Sequence, residues 1–143
     1  MSRENVELAR GGYEALAGGD MEAVLAVIDP NAVLEDAPGL PDAGEWHGHE
    51  GVLAGIAAEE EHQEGWTIEP VHFLDVGDEV VVLITQRARG RYSKIDMTRP
   101  IAHIWRFADG RAVRLRSFSS WEEALAAVGL DQSALPDESP LPD

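Results

Sequence analysis

Apolar residues early in the chain recur at helical spacing. Val6, Ala9, Tyr13 and Leu16 fall on one side of a helix over residues 3–17. Gly11 and Gly12 interrupt that helix, each at roughly 1 kcal/mol relative to Ala, which calls for a close approach to something else as compensation. After Gly18-Gly19, Asp20 is placed to cap a second helix carrying Val24, Leu25, Val27 and Ile28, which Asp29-Pro30 ends. Val33 to Asp36 reads as a short strand and residues 37–48 as a loop. A third helix follows over about residues 49–63, with Val52, Leu53 and Ile56 inward and Glu59-Glu60-Glu61 facing water. From Trp66 onward the period changes to that of strands. Residues 67–76, 79–91, 94–108 and 111–119 are strand-like, joined by Gly77-Asp78, a turn near residues 90–93 and Asp109-Gly110, which together predict an antiparallel meander. Ser120 to Glu123 is a capping box opening a short last helix that ends at Gly129. The predicted class is α+β, with three N-terminal helices on one face of a curved, mostly antiparallel sheet, a pocket between the two layers and a short C-terminal helix.

Length and composition narrow this picture. The 143 residues suffice for one domain, read as residues 1–130, followed by an acidic, Pro-rich tail over 131–143 expected to be loose. Cysteine is absent, so disulfides, thiolate metal sites and cysteine nucleophiles are excluded. No apolar run approaches the roughly 18 residues of a membrane span, and a cytoplasmic protein is expected. The net charge of −16 argues against nucleic acid and anionic membranes as partners. That charge is unevenly spread. Residues 1–86 hold 19 acids and 2 bases, residues 87–116 hold 9 bases and 2 acids, and residues 117–143 hold 6 acids and no base. The acidic helical part and the basic strand part are either solvated faces or mutual partners.

Candidate chemistry concentrates in few places. Glu35 and Asp36 stand side by side in VLEDAPGLPDAGEWHGHEG. Val33 and Glu35 share one face of the strand and Leu34 and Asp36 the other, and alternation alone does not say which is inside. Apolar Val33, Leu34, Ala37 and Leu40 would shelter the inner acid and raise its pKa above the usual value of about 3.9. Trp46, Trp66, Trp105 and Trp121 serve equally as pocket lining, dimer seam or core. His47 and His49, with Glu45 and Glu50, have metal-compatible types, but a loop set needing His62 or His72 as a distant ligand is a poor tetrahedral site, and no metal is assigned. Phosphate loops, serine nucleophile elbows and basic-aromatic nucleic-acid surfaces are absent from the sequence.

ENVELARGGYEALAGGDMEAVLAVIDPNAVLED and AHIWRFADGRAVRLRSF, in this order of elements, resemble the SnoaL-like group of the nuclear transport factor 2-like superfamily over residues 3–130. That superfamily holds steroid ketoisomerases, polyketide cyclases, dehydratases, epoxide hydrolases and members without known chemistry, so the resemblance implies the fold and leaves the activity open. Aligned on Gly19-Asp20, the ketoisomerase general base falls at Asp36. The tyrosine that binds the substrate oxygen falls at Gly12 in strict register, with Tyr13 one place on. The protonated aspartate of the oxyanion hole falls at Ala102 or His103. Parity favours His103, because Ile101, His103, Trp105 and Phe107 share the face suited to the helix-covered side while Ala102, Ile104 and Arg106 share the other. On the last strand Val113, Leu115, Ser117 and Ser119 are taken as inward by the same alternation. The resemblance implies a cofactor-independent acid-base enzyme acting on a small apolar cyclic ligand. Asp36, His103 and Tyr13 would be its catalytic residues, and Trp46, Trp66, Trp105, Leu115 and Ser117 would line its binding site. A homodimer through the open sheet face is also implied, and a non-catalytic binding or interaction module of the same fold is the alternative.

Overall fold

The computed structural model describes residues 2–36 and 44–135. Ala37 and Leu40, offered above as neighbours of Asp36, and the last eight residues of the tail lie outside that range, as does the His62 side chain. Helices α1 (Ser2–Ala17) and α2 (Met21–Ala26) lead into strand β1 (Ile28–Glu35). Strand β2 (Glu45–His47), helix α3 (Gly48–His62), strands β3 (Gln63–Val76), β4 (Glu79–Gly90), β5 (Asp96–Ala108) and β6 (Arg111–Phe118), and helix α4 (Trp121–Ala127) follow. The strands form one mixed sheet in the order β2-β1-β6-β5-β4-β3. All its pairs are antiparallel except β1 with β6.

Local chemistry accounts for most boundaries. Asp20 accepts from the Ala23 N–H at 3.1 Å to open α2, and Ser120 accepts from the Glu123 N–H at 3.1 Å to open α4. The capping box at α4 is half of the expected one, since the Glu123 carboxylate is taken by the Ser119 hydroxyl. Asp109 and Gly110, both at positive φ, turn β5 into β6.

Three boundaries differ from expectation, one of them the start of β3 at Gln63 rather than at residue 67. The second helix stops at Ala26, and Ile28 already pairs with Ala112 of β6, so Asp29-Pro30 lies within a strand. Pro30, having no N–H, falls where the β1–β6 register shifts between Ile28 and Val33 and no ladder donor is needed. The loop before α3 contains β2, which extends the sheet beyond β1.

The sheet is covered on both faces. On the inner face, Ala9 and Tyr13 of α1, Val24 of α2 and Val52 of α3 pack with Ile28, Val80, Val82, Ile84, Trp105 and Phe107. On the outer face, Val81, Leu83, Ala102 and Ile104 pack with Trp121 and Ala124 of α4 and with Leu135. This is why Val80 to Ile84 form an unbroken buried run in β4, where a one-faced sheet would alternate. The outer face is therefore less open than the expected helices-on-one-face arrangement. Within the segment expected to be a loose tail, Gln132–Ala134 form a 3₁₀ turn that delivers Leu135 into this second core.

The charge segregation resolves within the chain at several points. Arg87 pairs with Glu69, Arg89 with Asp96, Lys94 with Glu64, Arg114 with Glu35 and Arg116 with Glu79. Arg91 donates to the carbonyl oxygens of Glu60, Glu61 and Gln63, tying the hairpin between β4 and β5 to the end of α3. No helix among the described residues is long and apolar enough to cross a membrane.

Candidate functional site

A cavity of about 180 Å³ lies between the inner face of the sheet and the three N-terminal helices. An apolar cavity of about 150 Å³ is enough to hold a benzene ring. All eight residues that the sequence puts forward line it: Tyr13, Asp36, Trp46, Trp66, His103, Trp105, Leu115 and Ser117.

The face of β1 that alternation leaves undecided is decided by β6. Glu35 points outward, where Arg114 donates to both its carboxylate oxygens at 2.9 and 3.0 Å and holds its pKa below the usual carboxylate range. Leu34 and Asp36 point inward. Trp46 donates its indole N–H to Asp36 Oδ2 at 2.8 Å, leaving Oδ1 with no partner among the described residues. Trp46 is itself seated on α3. A Cβ at Gly51 would stand 2.8 Å from the Trp46 carbonyl carbon, so this helix–strand approach requires glycine.

Gly12 has a similar reason. A Cβ there would lie 3.2 Å from the Trp105 ring and 3.3 Å from Val27, so α1 comes down onto Trp105 at this point. The approach brings Tyr13 to the cavity floor. Trp105 donates its indole N–H to the Tyr13 hydroxyl oxygen at 2.7 Å, and that hydroxyl lies 2.7 Å from His103 Nδ1. An indole nitrogen only donates. The buried Tyr13 proton finds its acceptor at His103 Nδ1, which places the imidazole proton on Nε2. Burial lowers the His103 pKa to about 4, so the ring is neutral at pH 7, and burial likewise raises that of Tyr13. Contacts with Phe73 and Trp105 hold the Tyr13 ring, and Phe107 stacks on Trp105.

Strand register sets the spacing. Glu35 pairs with Arg116, so Asp36 comes level with Ser117, and Ser117 pairs with His103. Asp36, Ser117 and His103 thus form one row across β1, β6 and β5. At about 4.8 Å per strand the outer two Cα atoms are roughly 10 Å apart, leaving room for a ring between their side chains.

Several lining residues escape the sequence reading. Val52, Gly55, Ile56 and Glu59 of α3 line the cavity at helical spacing. Glu59, expected to face water with Glu60 and Glu61, therefore faces inward, and Gln63 donates to it at 2.9 Å. Leu53, expected inward, is exposed, because the inward stripe of α3 passes through Val52 instead. Gln86 and Arg99 also line the cavity, and Arg99 shares the parity of Ile101 and His103. Away from the cavity, His49 Nε2 lies 2.7 Å from the Ile28 carbonyl oxygen and donates to it. Among the described residues no three His, Asp or Glu side chains are grouped to hold a metal ion.

Comparisons with known proteins agree with this architecture. Residues 9–115 match the SnoaL-like domain family. No curated protein matches the chain. A nuclear transport factor 2-like protein of unknown function from Burkholderia pseudomallei superposes with a TM-score of 0.75 at 29% identity, covering 88% of this chain and 98% of that one. A Catenulispora acidiphila protein with a ketosteroid isomerase-like fold superposes with a TM-score of 0.69 at 16% identity, covering 91% and 98%. A proposed polyketide cyclase from Sinorhizobium meliloti reaches 0.60 at 22% identity, covering 78% and 93%. With the family matched over most of its length and its strands and helices laid out as in these structures, the chain belongs to the SnoaL-like family.

Proposed function

We propose that this protein is a cofactor-independent acid-base enzyme acting on a small, apolar, cyclic carbonyl compound. The observation that carries the reading is the row Asp36, Ser117 and His103, whose outer members bring an acceptor and a donor to opposite sides of one ring-sized cavity. Asp36 Oδ1 takes a proton from the carbon beside the carbonyl, and the C–H electron pair moves into the enolate. The His103 Nε2–H donates to the oxygen where negative charge grows. Return of the proton from Asp36 to the same carbon or a conjugated one completes exchange or isomerisation. Trp46 holds the other oxygen of the base, and the lining of Leu34, Ile56, Ile101 and Leu115 excludes water from the enolate. Tyr13 orients His103 and does not itself donate to the substrate, since its one proton is committed to Nδ1.

The test is deuterium exchange at the carbon beside the carbonyl of 1-indanone, followed by NMR in deuterated buffer. Asp36→Asn keeps an acceptor for Trp46 and removes the base. We expect exchange with this variant to fall at least about 100-fold below that of the unaltered protein. Equal rates would overturn the reading.

One observation favours a binding module instead. Tyr13 is engaged behind His103 and offers the cavity no proton, which leaves the His103 Nε2–H and the Ser117 hydroxyl as the donors of the floor. A protein that binds 1-indanone without accelerating its exchange would be such a module.

A further inference from the structure

At the hairpin end of the cavity stand two donors that the described chain leaves without acceptors. Along the inner face of β5 the order is Arg99, Ile101, His103 and Trp105, running from an exposed residue to a buried one. Arg99 lies four residues from His103, roughly 13 Å along the strand. It is the only Lys or Arg among the described lining residues, and no carboxylate among the described residues pairs with it. This matters in a chain with 27 acids and 11 Lys and Arg, where Arg87, Arg89 and Lys94 nearby each have an acid partner.

The second donor is Trp66. Gly65 at φ +60 and the register shift between Glu64 and Thr67 form a bulge that turns Trp66 into the lining. Its indole N–H is buried and has no partner among the described residues. Ile68, two residues on, is level with Gln86, and Gln86 with Arg99, so both donors belong to the same end of the β3-β4-β5 surface. Beside them, one of the two N–H groups of the Gln86 amide is directed at Gln63 Oε1 at 3.3 Å. The acids of the lining stand elsewhere or are engaged. Asp36 is on β1, beyond β6, and Glu59 accepts from Gln63.

A buried N–H and a free guanidinium at one end of an otherwise apolar hollow call for a partner that accepts hydrogen bonds, carries negative charge and is apolar in the rest of its body. We infer that the ligand is a cyclic keto acid, its carboxylate held by Arg99 and the Trp66 N–H at the hairpin end and its apolar ring and ketone directed toward His103. This rests on the reading of the cavity given above and adds the substrate class.

Calorimetry with 4-acetylbenzoate and its neutral near-isostere 4-acetylbenzamide, at pH 7 and low salt, tests it. The unaltered protein is expected to bind the acid at least about tenfold more tightly than the amide. Arg99→Gln should bring the two affinities level, Arg99→Lys should keep part of the preference, and Trp66→Phe, which retains an apolar ring but loses the N–H, should weaken the acid severalfold. Arg99 is exposed and without an ion pair among the described residues, so its replacement should leave the fold intact, as the circular dichroism spectrum will show. Equal affinities in the unaltered protein, or a preference that survives Arg99→Gln, would overturn the inference while leaving the Asp36 exchange experiment to decide the catalytic reading on its own. Binding of neither compound would likewise overturn the inference.

Discussion

The two faces of this sheet are built from the same strands and finished differently. On the outer face, Val81, Leu83, Ala102 and Ile104 meet Trp121, Ala124 and Leu135, and the space is filled. Trp121 gives its N–H to the Ile84 carbonyl oxygen at 3.0 Å, so the chain satisfies its own donor. On the inner face, the alternate residues Ile101, His103, Leu115 and Ser117 are only half-buried and border a hollow. There Trp46 donates to a carboxylate, Trp105 to a tyrosine, and Trp66 to nothing among the described residues. The difference arises from what packs above. The outer face receives large apolar side chains, whereas α1 and α3 bring Gly12 and Gly55 to the lining and hold the aromatic rings apart. Polar groups without a partner are tolerated where a ligand can supply one; on the filled face they would be a net cost of about 1–3 kcal/mol each.

The largest expected effect comes from breaking the filled face. Trp121→Ala removes a ring that is 5% exposed together with its hydrogen bond, and should cost about 3–5 kcal/mol in denaturant titrations. The dissociation constant for a ring ligand should be unchanged, since Trp121 does not line the cavity. A loss of ligand affinity in a variant that still folds would show the two faces to be coupled.

A second effect distinguishes the inner face by pH. The His103 pKa falls from about 6.5 in the unfolded chain to about 4 in the fold. Between these values the unfolded state binds more protons, so stability is fully present above pH 6.5 and is lost as pH falls toward 4. The ceiling is about 3 kcal/mol, because part of the ring still faces the cavity. Denaturant midpoints measured from pH 7 to pH 4 should drop less steeply in His103→Asn than in the unaltered protein. Parallel slopes would mean that His103 is not sheltered.

The smallest effect belongs to Tyr13→Phe. It leaves the Trp105 N–H without its acceptor and His103 Nδ1 without its donor, at about 1–3 kcal/mol, read from the same titrations. It should also weaken ring binding, since the imidazole is then free to move its proton to Nδ1.

How much of this the sequence carried differs by element. The inward set Ile101, His103, Trp105 and Phe107 was legible because three aromatic rings on one parity outweigh the single Arg106 on the other. Arg99 shares that parity but reads as solvated, since a charged residue near the exposed end of a strand usually is. Asp36 was not resolvable from Glu35, because each follows one apolar residue on its own face. Only Arg114, 79 residues after Glu35 and brought close by the parallel β1–β6 pair, claims Glu35 for the outside. Glu59 was hidden in a run of three glutamates although its spacing from Val52 and Ile56 is helical. Pro30 looked like a helix stop, and nothing local announces that the strand passes through it at a register shift.

The account turns on a neutral His103 that offers its Nε2 proton to the cavity. Nitrogen-15 NMR of the imidazole at pH 6, with and without 1-indanone, tests this most directly. The account predicts a neutral ring with the proton on Nε2, and an Nε2–H resonance that moves when the ketone binds while Nδ1 remains an acceptor. A charged ring at that pH, or a proton on Nδ1 with Nε2 indifferent to the ketone, would contradict it.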